Sequence, residues 1–271
     1  MLLIVDLDGV VYLGPTPIPG MPELLSARVA RGDTVAYATN NSRWHRTDYV
    51  ARLRGMGAPV SEQSIVTAAR ATALLLAEGP DRPRRVMVFG GPGLARELRD
   101  VGLLTVAPTD YGLAAEPDVV VVGVDFALGY RRLSIAAEAV RRGARFVATN
   151  RDPVYPGADG LQAGAGAIVA ALAVAAGREP DLVVGKPGPR LFEAAADSVG
   201  MPVREAVVIG DGLMTDVAAA HAVGARSVLM LTGVSTAAQM ADLPAVQRPT
   251  AVAHDATELS VILDRFAAHP A

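Results

Sequence analysis

The feature that most constrains this chain is a short apolar run, Leu2-Leu3-Ile4-Val5, that stops at two aspartates one residue apart in Asp6-Leu7-Asp8-Gly9. A continuously hydrophobic run of this length predicts a strand of a parallel sheet covered on both faces, since a strand with one wet face would alternate. Asp6 and Asp8 then stand at its C-terminal edge, where open α/β sheets bind ligands. Two carboxylates on one side of a strand end repel unless a cation or a shared proton relieves them. A single Asp-x-Asp-Gly also reads as a turn.

Recurrence tips the balance. Ala206-Val207-Val208-Ile209 empties into Gly210-Asp211-Gly212-Leu213-Met214-Thr215-Asp216, Thr34-Val35-Ala36-Tyr37-Ala38 into Thr39-Asn40-Asn41-Ser42, and Asp181-Leu182-Val183-Val184 into Gly185-Lys186-Pro187. Four strand ends thus offer acids, a hydroxyl, an amide and one cation. Lys186 is the single lysine in a chain whose positive charge is otherwise arginine.

At 271 residues the chain exceeds the ~100–200 of one ordinary domain. Between Ser42 and Lys186 runs a second alternation of strands (86–89, 119–122, 145–148) and helices (from Leu94 and from Tyr130). The punctuated stretches Glu78-Gly79-Pro80-Asp81-Arg82-Pro83 and Gly177-Arg178-Glu179-Pro180 make linkers. The expected division is a core in two parts, 1–79 and 180–271, around an inserted α/β unit, 80–179. Apolar content of 51% with only 4% aromatic residues points to Ala-rich helices on Val-rich parallel strands.

Other function classes recede. There is no cysteine, so disulfide frameworks and thiolate zinc sites are excluded. The histidines at 45, 221, 254 and 269 show no paired helical spacing. A net charge of −3, with basic runs such as 82–85 and 131–132 brief enough to be solvated faces, argues against nucleic-acid binding. The most apolar helical stretch, Gly166–Ala176, is far short of the roughly 20 residues that span a bilayer and reads as a buried helix, so no membrane association is expected. With a first strand at once and no leader, a cytoplasmic location is expected. Phe89-Gly90-Gly91-Pro92-Gly93 lacks dinucleotide-loop spacing and reads as a tight strand-to-helix turn.

Taken in order, Asp6-Leu7-Asp8-Gly9-Val10-Val11-Tyr12, Thr39-Asn40-Asn41-Ser42, Lys186-Pro187 and Gly210-Asp211 through Thr215-Asp216 resemble the four motifs of the haloacid dehalogenase (HAD) superfamily. Thr followed by paired Asn, Gly-Lys-Pro, and Ala148-Thr149-Asn150-Arg151-Asp152 are similar to its NagD-like and 4-nitrophenylphosphatase-like branch. The resemblance covers nearly the whole chain. It implies an α/β fold, a Rossmann-like parallel-sheet HAD core with an inserted C2-type α/β cap, which would close over the site, exclude water and choose the substrate.

The residues support the matching chemistry, a magnesium-dependent phosphomonoester hydrolase acting on a small phosphorylated metabolite. Phosphoryl transfer needs an in-line nucleophile, neutralised phosphoryl oxygens and a proton for the leaving oxygen. Asp6 is the expected nucleophile, forming an aspartyl-phosphate, and Asp8 the acid and base. Mg2+ takes oxygen ligands and keeps several waters, with Asp6, the Asp8 carbonyl and Asp211 as expected ligands and Asp216 orienting metal-bound waters. Thr39 and Asn40 would hold phosphoryl oxygens, with a helix expected just after them, and Lys186 would set a positive charge against nucleophile and phosphate. Asn41 belongs to the same substrate-binding stretch, and Arg43 is a candidate phosphate or carboxylate contact.

In the cap, the resemblance assigns substrate selection to Asn150 and Asp152. Gly212 and Met214 depart from the family pattern, in which Arg or Asn and a polar residue often stand there. The competing reading is a non-catalytic phosphometabolite-binding protein on the same fold. A homodimer through the cap is implied by relatives of the branch.

Overall fold

The computed structural model describes residues 1–78, 81–157 and 160–269, so Gly79 and Pro80 of the expected first linker lie outside the described residues. The chain forms two compact units. The first comprises Met1–Thr39, Thr47–Val66 and the chain from Lys186 onward; the second comprises Asn40–Arg46 and Thr67–Gly185.

The first unit is built on a six-stranded sheet. Its order is Ala251–Ala253, Arg226–Met230, Ala206–Gly210, Leu2–Val5, Thr34–Thr39, Ile65–Thr67. Leu2–Val5 pairs in parallel with both of its neighbours. Every residue of that strand is buried. Leu3 and Val5 enter a core with Tyr37, Val207, Ile209 and Met230, while Leu2 and Ile4 point to the other face, where helix Arg190–Ser198 packs. Two covered faces are the physical reason for an unbroken apolar run. From Leu2–Val5 the chain adds strands to one side first and, after residue 206, to the other. The C-terminal ends of Leu2–Val5 and Ala206–Gly210 therefore flank the point where strand order reverses, the usual ligand crevice of such sheets.

The second unit has a five-stranded sheet, Leu182–Val183, Arg145–Ala148, Val119–Val122, Arg85–Phe89, Leu104–Val106, parallel at every pairing. Its core joins Met87, Phe89, Val120, Val122 and Phe146 to Ile168, Val169 and Leu172 of helix Ala165–Ala176. That helix is buried on one face only: Val174 is 85% exposed. Phe89 ends its strand and Pro92 opens helix Pro92–Asp100, a tight turn. A Cβ on Gly93 would lie 2.3 Å from the Arg43 carbonyl oxygen, so glycine there lets the backbone of 43–45 lie on the helix.

Two local expectations are corrected. The run before Lys186 forms only a two-residue, half-buried strand, Leu182–Val183, and it pairs with Arg145–Ala148 at the edge of the second unit's sheet. The run is short enough for one edge pairing and carries no second buried face. No helix begins directly after Ser42; helix Arg46–Gly55 starts later. The intervening backbone is held by side chains instead: the Arg43 amide donates to Asn41 Oδ1 at 2.8 Å and the Val124 amide to Ser42 Oγ at 3.1 Å.

Candidate active site

In the first unit the ladder runs on past the strand: the Asp6 amide donates to the Ile209 carbonyl at 2.9 Å, and Val5 is paired with Ile209. That register sets Asp6 beside Gly210 and brings Asp211 to the same sheet edge. Carboxylate oxygens of Asp6, Asp211 and Asp216 lie within 4.8 Å of one another, and all three side chains are buried or nearly so.

Lys186, the chain's only lysine, answers them. Its Nζ donates to Asp6 Oδ1 at 2.7 Å, to Asp216 Oδ1 at 2.8 Å and to the Ala38 carbonyl at 3.2 Å. Burial alone would lower the ammonium's pKa, but Asp216 and Asp6 more than reverse this and hold it charged. One ammonium against three carboxylates leaves the cluster short of positive charge. Burial pushes Asp6 well above the ordinary carboxylate range; Lys186 pulls it back, and Asp216 and Asp211 raise it again. Asp211 is pushed up to about 6, first by burial and then by Asp216.

The donor set fits a small, hard divalent cation. It is all oxygen, under-neutralised and held to a fixed shape. Asp211 Oδ2 accepts from the Val234 amide at 2.8 Å, and Cβ atoms built on Gly9 and Gly233 would fall 2.2 and 1.8 Å from that oxygen. Gly9 also has φ +80°, so no other residue fits this turn without strain. Asp216 is engaged differently. Its Oδ1 accepts from Lys186, and its Oδ2 accepts from the Gly212 amide at 3.1 Å and Thr215 Oγ1 at 3.2 Å.

Asp8 sits apart from that triad. Tyr12, fully buried, folds back over the turn and its hydroxyl lies 3.4 Å from Asp8 Oδ2, while the Arg52 guanidinium stacks 3.6 Å from the Tyr12 ring centre. Burial raises the Asp8 pKa, against the opposing pull of Arg52 and Tyr12. Sequence reasoning missed Tyr12 and Arg52 as neighbours of Asp8; only the aromatic placed three residues after Gly9 hinted at it. The two departures from the family pattern sit in different surroundings. A Cβ on Gly212 would lie 1.9 Å from Thr215 Oγ1, and Met214, on the π-helical turn Leu213–Val217, is 71% exposed.

Thr39 ends its strand buried in the first unit. The remaining candidates lie in the second unit. Asn40 Nδ2 donates to both oxygens of Asp152, at 3.1 and 3.0 Å, and Asn150 Nδ2 donates to the Asn40 carbonyl at 2.6 Å. The Arg43 guanidinium lies between two aromatic rings, 4.5 Å from the Trp44 centre and 4.0 Å from that of Phe126. Neither arrangement was visible in the sequence, because Asp152 lies 112 residues from Asn40, and the second ring over Arg43, Phe126, is also distant in sequence.

Family comparisons accord with this geometry. Residues 3–104 match the model of haloacid dehalogenase-like hydrolases and residues 183–259 that of HAD-hydrolase-like proteins. The chain belongs to the haloacid dehalogenase-like hydrolases. It is 38% identical over 258 residues to a D-glycerol 3-phosphate phosphatase of Mycobacterium tuberculosis, covering 95% of this chain and 70% of that protein. Among solved structures, a p-nitrophenyl phosphatase from Archaeoglobus fulgidus superposes with a TM-score of 0.87 at 34% identity, over 96% of this chain and 98% of the other. A glycerol phosphate phosphatase from Mycobacterium tuberculosis in complex with magnesium gives 0.86 at 38% identity, over 95% and 75%. Within the family the chain is a phosphatase of the NagD-like and 4-nitrophenylphosphatase-like branch. Among the described residues no helix is long and apolar enough to cross a membrane.

Proposed function

We propose that the chain hydrolyses phosphomonoesters of small metabolites through an aspartyl-phosphate on Asp6, with Mg2+ as cofactor. The observation that carries this is the Asp6, Asp211 and Asp216 cluster served by a single lysine at the reversal point of the sheet. Asp6, the Asp8 carbonyl and Asp211 would hold the ion. When bound it neutralises charge on the phosphoryl oxygens.

In the first half-reaction an Asp6 carboxylate oxygen bonds to phosphorus as the ester P–O bond breaks, and Asp8 gives its proton to the leaving alkoxide. In the second, Asp8 takes a proton from water, whose oxygen attacks the same phosphorus, returning Asp6 and releasing phosphate. The raised pKa of Asp8 suits it to start as the acid. Lys186 keeps its charge against Asp6 and Asp216, and so fixes the nucleophile's rotamer. Asp216, already accepting from three groups, serves better to orient Lys186 and metal-bound water than as a direct ligand. Thr39 would donate to the transferring phosphoryl group, and Asn41 and Arg43 would line the substrate side. Segment 80–179 is read as the cap, acting in the cytoplasm on metabolites such as glycerol phosphate, the ester named for the mycobacterial relative.

The test is phosphate release from a panel of small phosphomonoesters, with magnesium and with EDTA, by the native chain beside Asp6→Asn. Turnover that needs magnesium and vanishes in the variant supports the reading. No turnover of any ester would favour a phosphometabolite-binding protein instead.

A further inference from the structure

Two of the peptide bonds by which the second unit's chain passes to the first are Thr39–Asn40 and Gly185–Lys186, so each joins it directly to a proposed phosphate-handling residue. Inside the second unit the ends Asn40 and Gly185 are held together. The Gly185 amide donates to the Thr149 carbonyl at 2.8 Å, and a Cβ on Gly185 would lie only 2.5 Å from Asn40 Oδ1 and 3.0 Å from the Asn150 Cβ. Asn150, 2% exposed, fixes the Asn40 backbone through its carbonyl, and Asp152 fixes the Asn40 side chain through two accepted bonds. Asp152 is itself seated. Its amide donates to Asn150 Oδ1 at 3.0 Å, and its carbonyl accepts from the Gly166 amide at 2.9 Å in the first turn of helix Ala165–Ala176. Cβ atoms at Gly164 and Gly166 would collide with that carbonyl, at 2.2 and 2.8 Å. The charge-assisted Asn40–Asp152 pair, the buried Asn150 bond and the glycine contacts form one cluster within the second unit.

We propose that Asn150 and Asp152 are positioning residues that clamp Asn40 against Gly185, so that Thr39 and Lys186 leave the second unit as a fixed pair, rather than groups that select the leaving group. This rests on the phosphatase reading above. A selector touches the part of the ester that varies; a clamp touches the part of the enzyme common to every ester.

The experiment measures kcat and KM for 4-nitrophenyl phosphate, glycerol phosphate and a sugar phosphate with native protein, Asp152→Asn, Asn40→Asp and the double swap. The swap puts a carboxylate at 40 opposite an amide at 152, restoring a donor and acceptor with polarity reversed. Each single substitution should lower kcat by the same factor for every ester, on the order of tenfold, with KM little changed, and the swap should regain most of the loss. A loss that differs by ester or sits in KM, or a swap no better than the worse single, would overturn the proposal. Backbone hydrogen exchange over 38–42 and 183–187 reads the clamp without turnover: it should quicken in both single variants and slow again in the swap, and unchanged exchange overturns the clamp. Absence of turnover by the native chain would count against the phosphatase reading alone.

Discussion

Two acid clusters in this molecule offer similar ligand atoms and differ in how they are neutralised. In the first unit Asp6, Asp211 and Asp216 share one ammonium, Lys186. In the second unit His45 Nε2 lies 3.3 Å from Glu97 and 3.0 Å from Asp100. There Arg46 ion-pairs with both acids, and Arg70 stands 3.7 Å from the fully buried Glu97. The carboxyl groups respond in opposite senses. Asp211 is pushed up to about 6, while Asp100 is held below its ordinary value: burial acts to raise it, and its bonds from His45 and Arg46 outweigh that. A set of carboxylates short of positive charge is poised for a divalent cation; one already met by two guanidiniums gains little from another and serves to anchor residues 45–46 on helix Pro92–Asp100. Ligand spacing alone does not make a metal site; the local charge balance decides.

The comparison can be broken most severely at Asp6. Asp6→Asn keeps the side-chain volume and should cut phosphate release by about 10⁴-fold or more while leaving the melting temperature unlowered. Substantial remaining turnover would remove the covalent scheme. In the other cluster Glu97→Gln leaves Arg46 and Arg70 facing each other without their buried acid, and should destabilise the protein by about 3–5 kcal/mol. Thermal or denaturant melting checks this; a loss under about 1 kcal/mol would mean the network is not the anchor described.

The next effect is one of pH. The folded pKa of Asp211, about 6, lies above its ordinary value of 3.8, so the folded protein holds that proton where the unfolded chain has released it. This contribution is full below about pH 4 and is lost as pH rises through about 6, so stability without metal should fall across that window. Magnesium should restore it, by about 2.7 kcal/mol at a hundredfold excess over its dissociation constant. Melting curves with EDTA and with magnesium at pH 4 and pH 7 test this; a magnesium effect equal at both would contradict it. Smallest is Tyr12→Phe, which removes a long 3.4 Å contact to Asp8. It should slow alkyl esters by less than about tenfold and 4-nitrophenyl phosphate less still, because nitrophenolate leaves without a proton. An equal effect on both would mean Tyr12 does not serve the acid.

The two clusters also differ in how legible they were. The first could be read in the sequence because buried parallel strands are unbroken apolar runs, and Leu2–Val5 and Ala206–Gly210 carry their aspartates at the next position. The route to Lys186 was misread as another such strand, since four apolar residues do not say which sheet they join, and Leu182–Val183 pairs in the second unit. Glu97 is the one charged residue of its helix that is buried, and nothing local signals it, because its partners at 46 and 70 are distant in sequence. The same holds for Asn40 and Asp152, 112 residues apart. Local pattern encodes burial period and strand ends; it does not encode which polar groups meet across the fold.

The most direct test is calorimetric titration of magnesium into the native chain, Asp211→Asn and Glu97→Gln at neutral pH, below their melting temperatures. The charge-balance account predicts one binding event in the native chain, kept in Glu97→Gln and lost or greatly weakened in Asp211→Asn; binding that survives in Asp211→Asn and disappears in folded Glu97→Gln would contradict it.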